Sequence, residues 1–219
     1  MARSSRGKKS KNKSLHRRPA TRSPKRTVLV FCEGRRTEAD YLKALKQQPE
    51  VSDIASVAIE IDHTAAGFDP LALVRRAAAA HKDAGDEKSE VDEVWCIFDV
   101  EQPKKHSRLN EAMGLANDLG IQVAVSNPCF ELWLLLHFED KTAALTTSAA
   151  KRELARHDGT KGKGLEGSMY MPSRHEAADR ARSLAKRHHG NGTEFPNNNP
   201  SSGMYRFLSA VEGIREDLK

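Results

Sequence analysis

The sequence predicts an α/β fold, a mainly parallel sheet flanked by helices, followed by a helical C-terminal extension. Between residues 27 and 140, four short apolar, β-branched runs alternate with four segments of helical spacing. Several of those segments open on a residue pair that favours a helix start. Acidic residues stand where two of the apolar runs end, the edge at which parallel sheets usually bind ligands.

The first run, "TVLVFC", reads as a strand ending at Glu33 and Gly34. Thr37 then caps a helix whose third position is Asp40, with Tyr41, Leu42 and Leu45 recurring at helical spacing. Residues 54–62 read as a second strand. Asp69 and Pro70 form an N-cap and first-turn pair that opens a helix over 70–82. A third strand covers 91–100, a helix 107–120 stops at Gly120, and a fourth strand covers 121–126. Asn127 and Pro128 repeat the cap signal before the helix "CFELWLLLHF", which is apolar nearly all round and therefore expected to be buried. Beyond it lie short helices, a Gly-rich stretch at 159–167 read as a mobile loop able to close over substrate, a polar helix at 173–190, a loop at 191–203 and a terminal helix.

Charge divides the chain. Residues 1–26 hold eleven Lys or Arg and no acid, whereas the remainder holds 25 basic against 30 acidic residues. Residues 1–26 are expected to be a disordered basic tail, either a polyanion tether or a solubilising leader. Residues 27–219 are expected to form one domain, with a core over about 27–140 and the extension over 141–219. No apolar run approaches a membrane span, and no apolar leader precedes the domain. Cys32, Cys96 and Cys129 show no paired spacing, so buried reduced thiols in a cytoplasmic protein are expected.

The candidate chemistry is acidic. Asp99 and Glu101 are two apart on a strand end, so extended backbone would point both the same way. Such oxygen-rich pairs suit Mg²⁺, which binds a few carboxylates and keeps several waters. Glu33, arriving from another strand end, would complete a phosphoryl-transfer site; the alternative is that each acid only punctuates a strand in solvent. Glu131 and His137 are the polar members of the apolar helix: Glu131 either serves a metal site or accepts helix-end amides, and His137 is either catalytic or a satisfied core histidine. Arg35, Arg36, Lys104 and Lys105 are candidate phosphate contacts beside these acids.

The segments "VLVFCEGRRTEADYLKAL", "CIFDVE", "VSNPCFELWLLLHF" and "NNNPSSGMYRFLSAVE" resemble the RloB-like family, from about residue 27 to the C-terminus. That family is found near restriction–modification loci and is similar to Toprim domains. The resemblance implies a Toprim-like, Rossmann-like fold and a Mg²⁺- or Mn²⁺-dependent nuclease acting on DNA or RNA in defence against phage. It implies Glu33 as acid/base or metal ligand, Asp99 and Glu101 as the metal pair, and Glu131, His137 and Asn127 as members of the family's own motif. Glu38 matches a Thr-Glu step of the family, with a helix-start charge as the alternative. A protein encoded nearby is a further expected partner. Glu101 departs from the Asp usual in the metal pair, which leaves open a non-catalytic nucleic-acid- or partner-binding module.

Overall fold

Parallel strands with apolar residues on both faces must lie between two layers of helices. The computed structural model describes residues 25–34, 36–61, 69–86, 91–159 and 164–214, and has this architecture. The tail lies outside the described residues except for its end. Arg26, expected in the tail, is the first residue of β1 (Arg26–Cys32) and holds Glu93 at 2.6 Å.

The five strands run in the order β2-β1-β3-β4-β5, with β2 at Ala55–Ile61, β3 at Glu93–Asp99, β4 at Gln122–Asn127 and β5 at Ser201–Ser202. The first four are mutually parallel, and β5 pairs antiparallel with the end of β4. Alternation assigns the two faces. Val28, Val30, Cys32, Trp95 and Ile97 enter one core, whereas Phe31, Val94, Cys96 and Phe98 enter the other.

The chain leaves β1 in one direction to β2 and returns past it to β3, so right-handed crossovers place helices on both faces. Helices α1 (Thr37–Leu45) and α2 (Pro49–Ser52) connect β1 to β2. Helices α3 (Pro70–Asp86) and α4 (Leu109–Asp118) cover the opposite face from α1. The α3 start is as predicted, with Asp69 Oδ1 accepting from Leu71 N at 3.2 Å. The α1 start is not: Arg36 occupies the cap position, and Thr37 is the first helical residue.

Helix α5 (Phe130–Leu135) is buried as its composition requires, with Leu132 to Leu136 all sealed from solvent. It packs with α6 (Thr147–His157), α7 (Arg174–Gly190) and α8 (Met204–Val211), which form the C-terminal extension together with a 3-10 turn at Gly167–Ser173. Ala177, Ala181 and Leu184 give α7 its buried stripe at helical spacing. The three cysteines are buried, and none is in a disulfide.

Arg174 of α7 is buried against Glu212, just past α8, at 2.8 Å, and Glu212 also takes His175 at 2.9 Å. Removing one member of a buried pair strands the other without water. Glu212→Ala leaves Arg174 only the Met171 carbonyl and the exposed Glu50, and is therefore expected to cost about 3 kcal/mol in urea unfolding. A loss no larger than that of an exposed Glu→Ala control would refute this role.

Candidate functional site

The switch in connection direction falls between β1 and β3, and the acids gather at the carboxyl ends of these two strands. Glu33 follows β1 directly, and its N–H donates to Ile97 O at 3.1 Å, extending the strand pairing. Its carboxylate then accepts from Asp99 N at 3.2 Å through Oε2, while Oε1 lies 3.4 Å from His106 Nε2. The latter is an ion-pair contact short of hydrogen-bond geometry, and Nε2 is otherwise buried without a partner. The contact with Glu33 raises the His106 pKa against the opposing effect of burial.

Gly34 explains the next acid. A β-carbon on Gly34 would collide with the carboxylate of Glu38, which folds back from the second position of α1 into that space. Glu38 is buried by this arrangement. Burial, with Glu131 and Glu33 adding repulsion against its own helix-start amide, pushes its pKa up from 4.5 to about 7.

Asp99 closes β3 with Oδ1 buried and unpartnered. Burial comes first among the causes that hold its carboxyl well above the usual range, followed by Glu38, Glu33, Glu131 and Glu101. Two of these acids stand otherwise than the sequence predicts. Glu101 is not on extended chain: β3 ends at Asp99, and Glu101 has φ 64°, the left-handed region that non-glycine residues rarely adopt. It is held there because its N–H donates to Pro128 O at 2.8 Å, just after Val100 N donates to Ser126 O at 2.9 Å. Glu131 is the second residue of α5, because Cys129 rather than Asn127 precedes the helix.

Asn127 is thus not a helix cap. It ends β4 buried, and its Nδ2 donates to Pro196 O at 3.1 Å and to Asn198 Oδ1 at 3.2 Å, tying the extension's Asn-rich loop to the strand end. His137 is not brought to the acids. Its Nδ1–H donates to Trp133 O at 2.9 Å, so Nε2 accepts from the Tyr41 hydroxyl at 3.3 Å, amid the rings of Trp133, Tyr41 and Tyr170. Burial pulls its pKa down to about 4 and keeps it neutral. It is the satisfied core histidine of the two alternatives.

Among the basic candidates, Arg36 and Lys104 are exposed, Lys105 is bonded to Asn197 at 2.7 Å, and Arg35 lies outside the described residues. Residues 160–163 of the Gly-rich stretch also lie outside them. Two cations at the cluster were not picked out in the sequence. One is His106; the other is Lys151 of α6, whose Nζ is 4.0 Å from Glu131 Oε1. Burial opposes the Lys151 charge, but Glu131 and its neighbouring acids outweigh it and raise the pKa.

An orphaned, buried carboxylate oxygen crowded by four acids is a place where a cation would be favoured. No three His, Cys, Asp or Glu side chains converge as a ready cage among the described residues. Mg²⁺ does not need one, since it is commonly held by one or two carboxylates and completes its shell with water. The donor set therefore fits a hydrated divalent ion at Asp99.

Because Glu38 holds its proton more tightly folded than unfolded, its stabilisation is fully present below about pH 4.5 and is lost as pH rises through about 7. Across that window the metal-free protein should lose about 3 kcal/mol relative to Glu38→Gln. Parallel pH–stability curves for the two proteins would contradict the burial of this carboxylate.

No curated protein and no solved structure matches the chain. The model of one family, described as RloB-like protein, matches residues 28–211, from the first residues of β1 to the end of α8 and so through every acid of the cluster. The chain belongs to the RloB-like family.

Proposed function

We propose that the protein is a divalent-metal-dependent nuclease of Toprim-like type that cleaves foreign nucleic acid in the cytoplasm as a defence against phage. The observation that carries this reading is the buried, unpartnered Oδ1 of Asp99 among Glu33, Glu38, Glu101 and Glu131 at the strand-end switch point. Asp99, with Glu33 and Glu101 beside it, would hold Mg²⁺ or Mn²⁺. Such an ion supplies charge neutralisation at the scissile phosphate and an activated water.

The side chains of the chain supply the rest. Glu33 anchors the end of β3 through Asp99 N and faces His106 Nε2 at 3.4 Å, where a protonated His106 would serve as a proton donor to a leaving oxygen. Lys151 places a positive charge over Glu131 at the cluster's margin, where it would meet a phosphate oxygen. Arg36 and Lys104, exposed near the strand ends, would contact the flanking phosphates. A protein encoded nearby would act as partner.

A second reading, a binding module without cleavage, is favoured by the lack of a three-donor cluster among the described residues and by Glu101 where Asp is usual. The two readings separate in one assay. Incubation with single- and double-stranded DNA and RNA should give cleavage only with Mg²⁺ or Mn²⁺. Asp99→Asn and Glu33→Gln should each lower the rate on the order of 100-fold, with circular dichroism unchanged. Wild-type turnover by either variant would refute the proposed site, and binding without cleavage on every substrate would favour the second reading.

A further inference from the structure

A cavity of about 260 Å³ opens on the far flank of β4, between α4, the end of α7, the loop around 193–198, β5 and the start of α8. It is chemically the opposite of the carboxylate cluster. Met113, Val125 and Phe195 provide apolar wall, and Asn198 and Ser201 provide hydrogen-bonding groups. Tyr205, His189 and Arg206 also line it. The guanidiniums of Arg182 and Arg206 lie 5.4 and 5.5 Å from the centroid of the Tyr205 ring. None of the described residues lining the cavity is acidic, although acids outnumber bases 30 to 25 beyond residue 26. Arg206 is exposed and forms no ion pair among the described residues.

The cavity lies across β4 from the strand that carries Asp99. Asp99 is in register with Ser126, and Ser126 with Ser202, whose hydroxyls meet at 3.1 Å. With strands about 4.8 Å apart, the backbone of Ser202 lies about 10 Å from that of Asp99, but Val125 of the cavity is in register with Phe98 and so faces the other side of the sheet from Asp99. Asn198 lines the cavity and also accepts from Asn127 at the end of β4.

We infer that this cavity receives one unstacked nucleobase of a single-stranded substrate, with the adjoining phosphate held by Arg206 and His189. Its volume falls below the roughly 300 Å³ at which pockets begin to take whole drug-sized ligands, and so suits one smaller unit. Aromatic and apolar wall takes the face of a base, and the amide of Asn198 and hydroxyl of Ser201 meet its edge. Arginine is the side chain suited to phosphate and to stacking together, and the acid-free lining leaves Arg206 over the Tyr205 ring with no carboxylate against it. A base inside a duplex cannot enter, so the cavity selects single strands or extruded bases. The inference rests on the nuclease reading only in assigning the nucleotide to a substrate strand.

The test is titration of the full chain in EDTA with a single-stranded trinucleotide, its duplex and a nucleoside monophosphate. About 0.15 M salt limits attraction to the basic residues 1–26. Binding is read by NMR shifts of His189 and Tyr205. Saturable shifts are expected with the single strand and not with the duplex, and Arg206→Glu should weaken binding about tenfold or more. Thr193→Trp, which fills the cavity, should do the same; Arg206→Glu, an exposed change, decides the matter if that variant misfolds. Single-strand binding unaffected by Arg206→Glu overturns the inference, as does equal binding of single strand and duplex. A chain that binds but never cuts refutes the nuclease reading and leaves the cavity intact. A chain whose cleavage and binding both ignore Arg206→Glu does the reverse.

Discussion

The parallel pairing of β1 with β3 is the contact on which the rest of the structure depends. It brings Glu33 onto the backbone of Asp99 across 66 positions of sequence. Both strands are central and apolar on each face, so burial of two separate cores supplies the free energy that holds their ends together. The acids at those ends work against it. Asp99, Glu38 and their neighbours repel one another in a poorly solvated place, and no local interaction offsets that repulsion fully. A protein tolerates such a cluster where its stability comes from elsewhere and the cluster serves function. Gly34 belongs to the same arrangement, since only a residue without a β-carbon lets the Glu38 carboxylate lie over the chain.

The C-terminal extension completes the strand ends. The segment after β3 has no regular structure to hold it, so its amides are satisfied one by one: Val100 and Glu101 by Ser126 and Pro128, and Gln102 by Thr147. Asn127 fastens the Asn-rich loop from the other side, and Asn199 exchanges two hydrogen bonds with the backbone of Leu145. The left-handed conformation of Glu101 persists because these bonds determine the path on both sides of it. The helices after residue 140 are therefore part of what holds the acids in place.

Much of this was legible in the sequence. Strand and helix periods, the Asp69 cap and the buried character of α5 follow from local patterning, and patterning survives folding when one face must be buried. Strand order does not, because nothing local says that β1 is flanked by β3. The two serines of β5 carry no strand pattern; they pair where Gly203 lies so close against β4 that a β-carbon on it would stand 3.1 Å from the Ala124 backbone. Glu38 looked like an ordinary helix-start charge because its burial depends on the missing side chain of a residue four positions earlier. A glycine after a strand-end acid, with a second acid one helical turn on, is the signal that could have marked it. His106 and Lys151 reach the acids only through tertiary folding, and no spacing announces them. Asn127 and Pro128 resembled a cap because that dipeptide suits a helix start, yet the strand pairing claims Asn127 first.

On the proposed reading, the electrostatics of the cluster make metal and substrate interdependent. Five carboxylates around one strand end repel a phosphodiester, and the described cations nearest them, His106 and Lys151, are each already facing a glutamate. A divalent ion at Asp99 would offset part of that repulsion and offer the phosphate a direct cationic partner. By reciprocity, a phosphate bound beside the ion strengthens the hold on the ion by the same factor. Weak metal binding by the free protein is then compatible with strong metal dependence in the complex. The acid-free cavity across β4 fits this division: it can hold part of a strand without the ion, while the carboxylates admit a phosphate only with it.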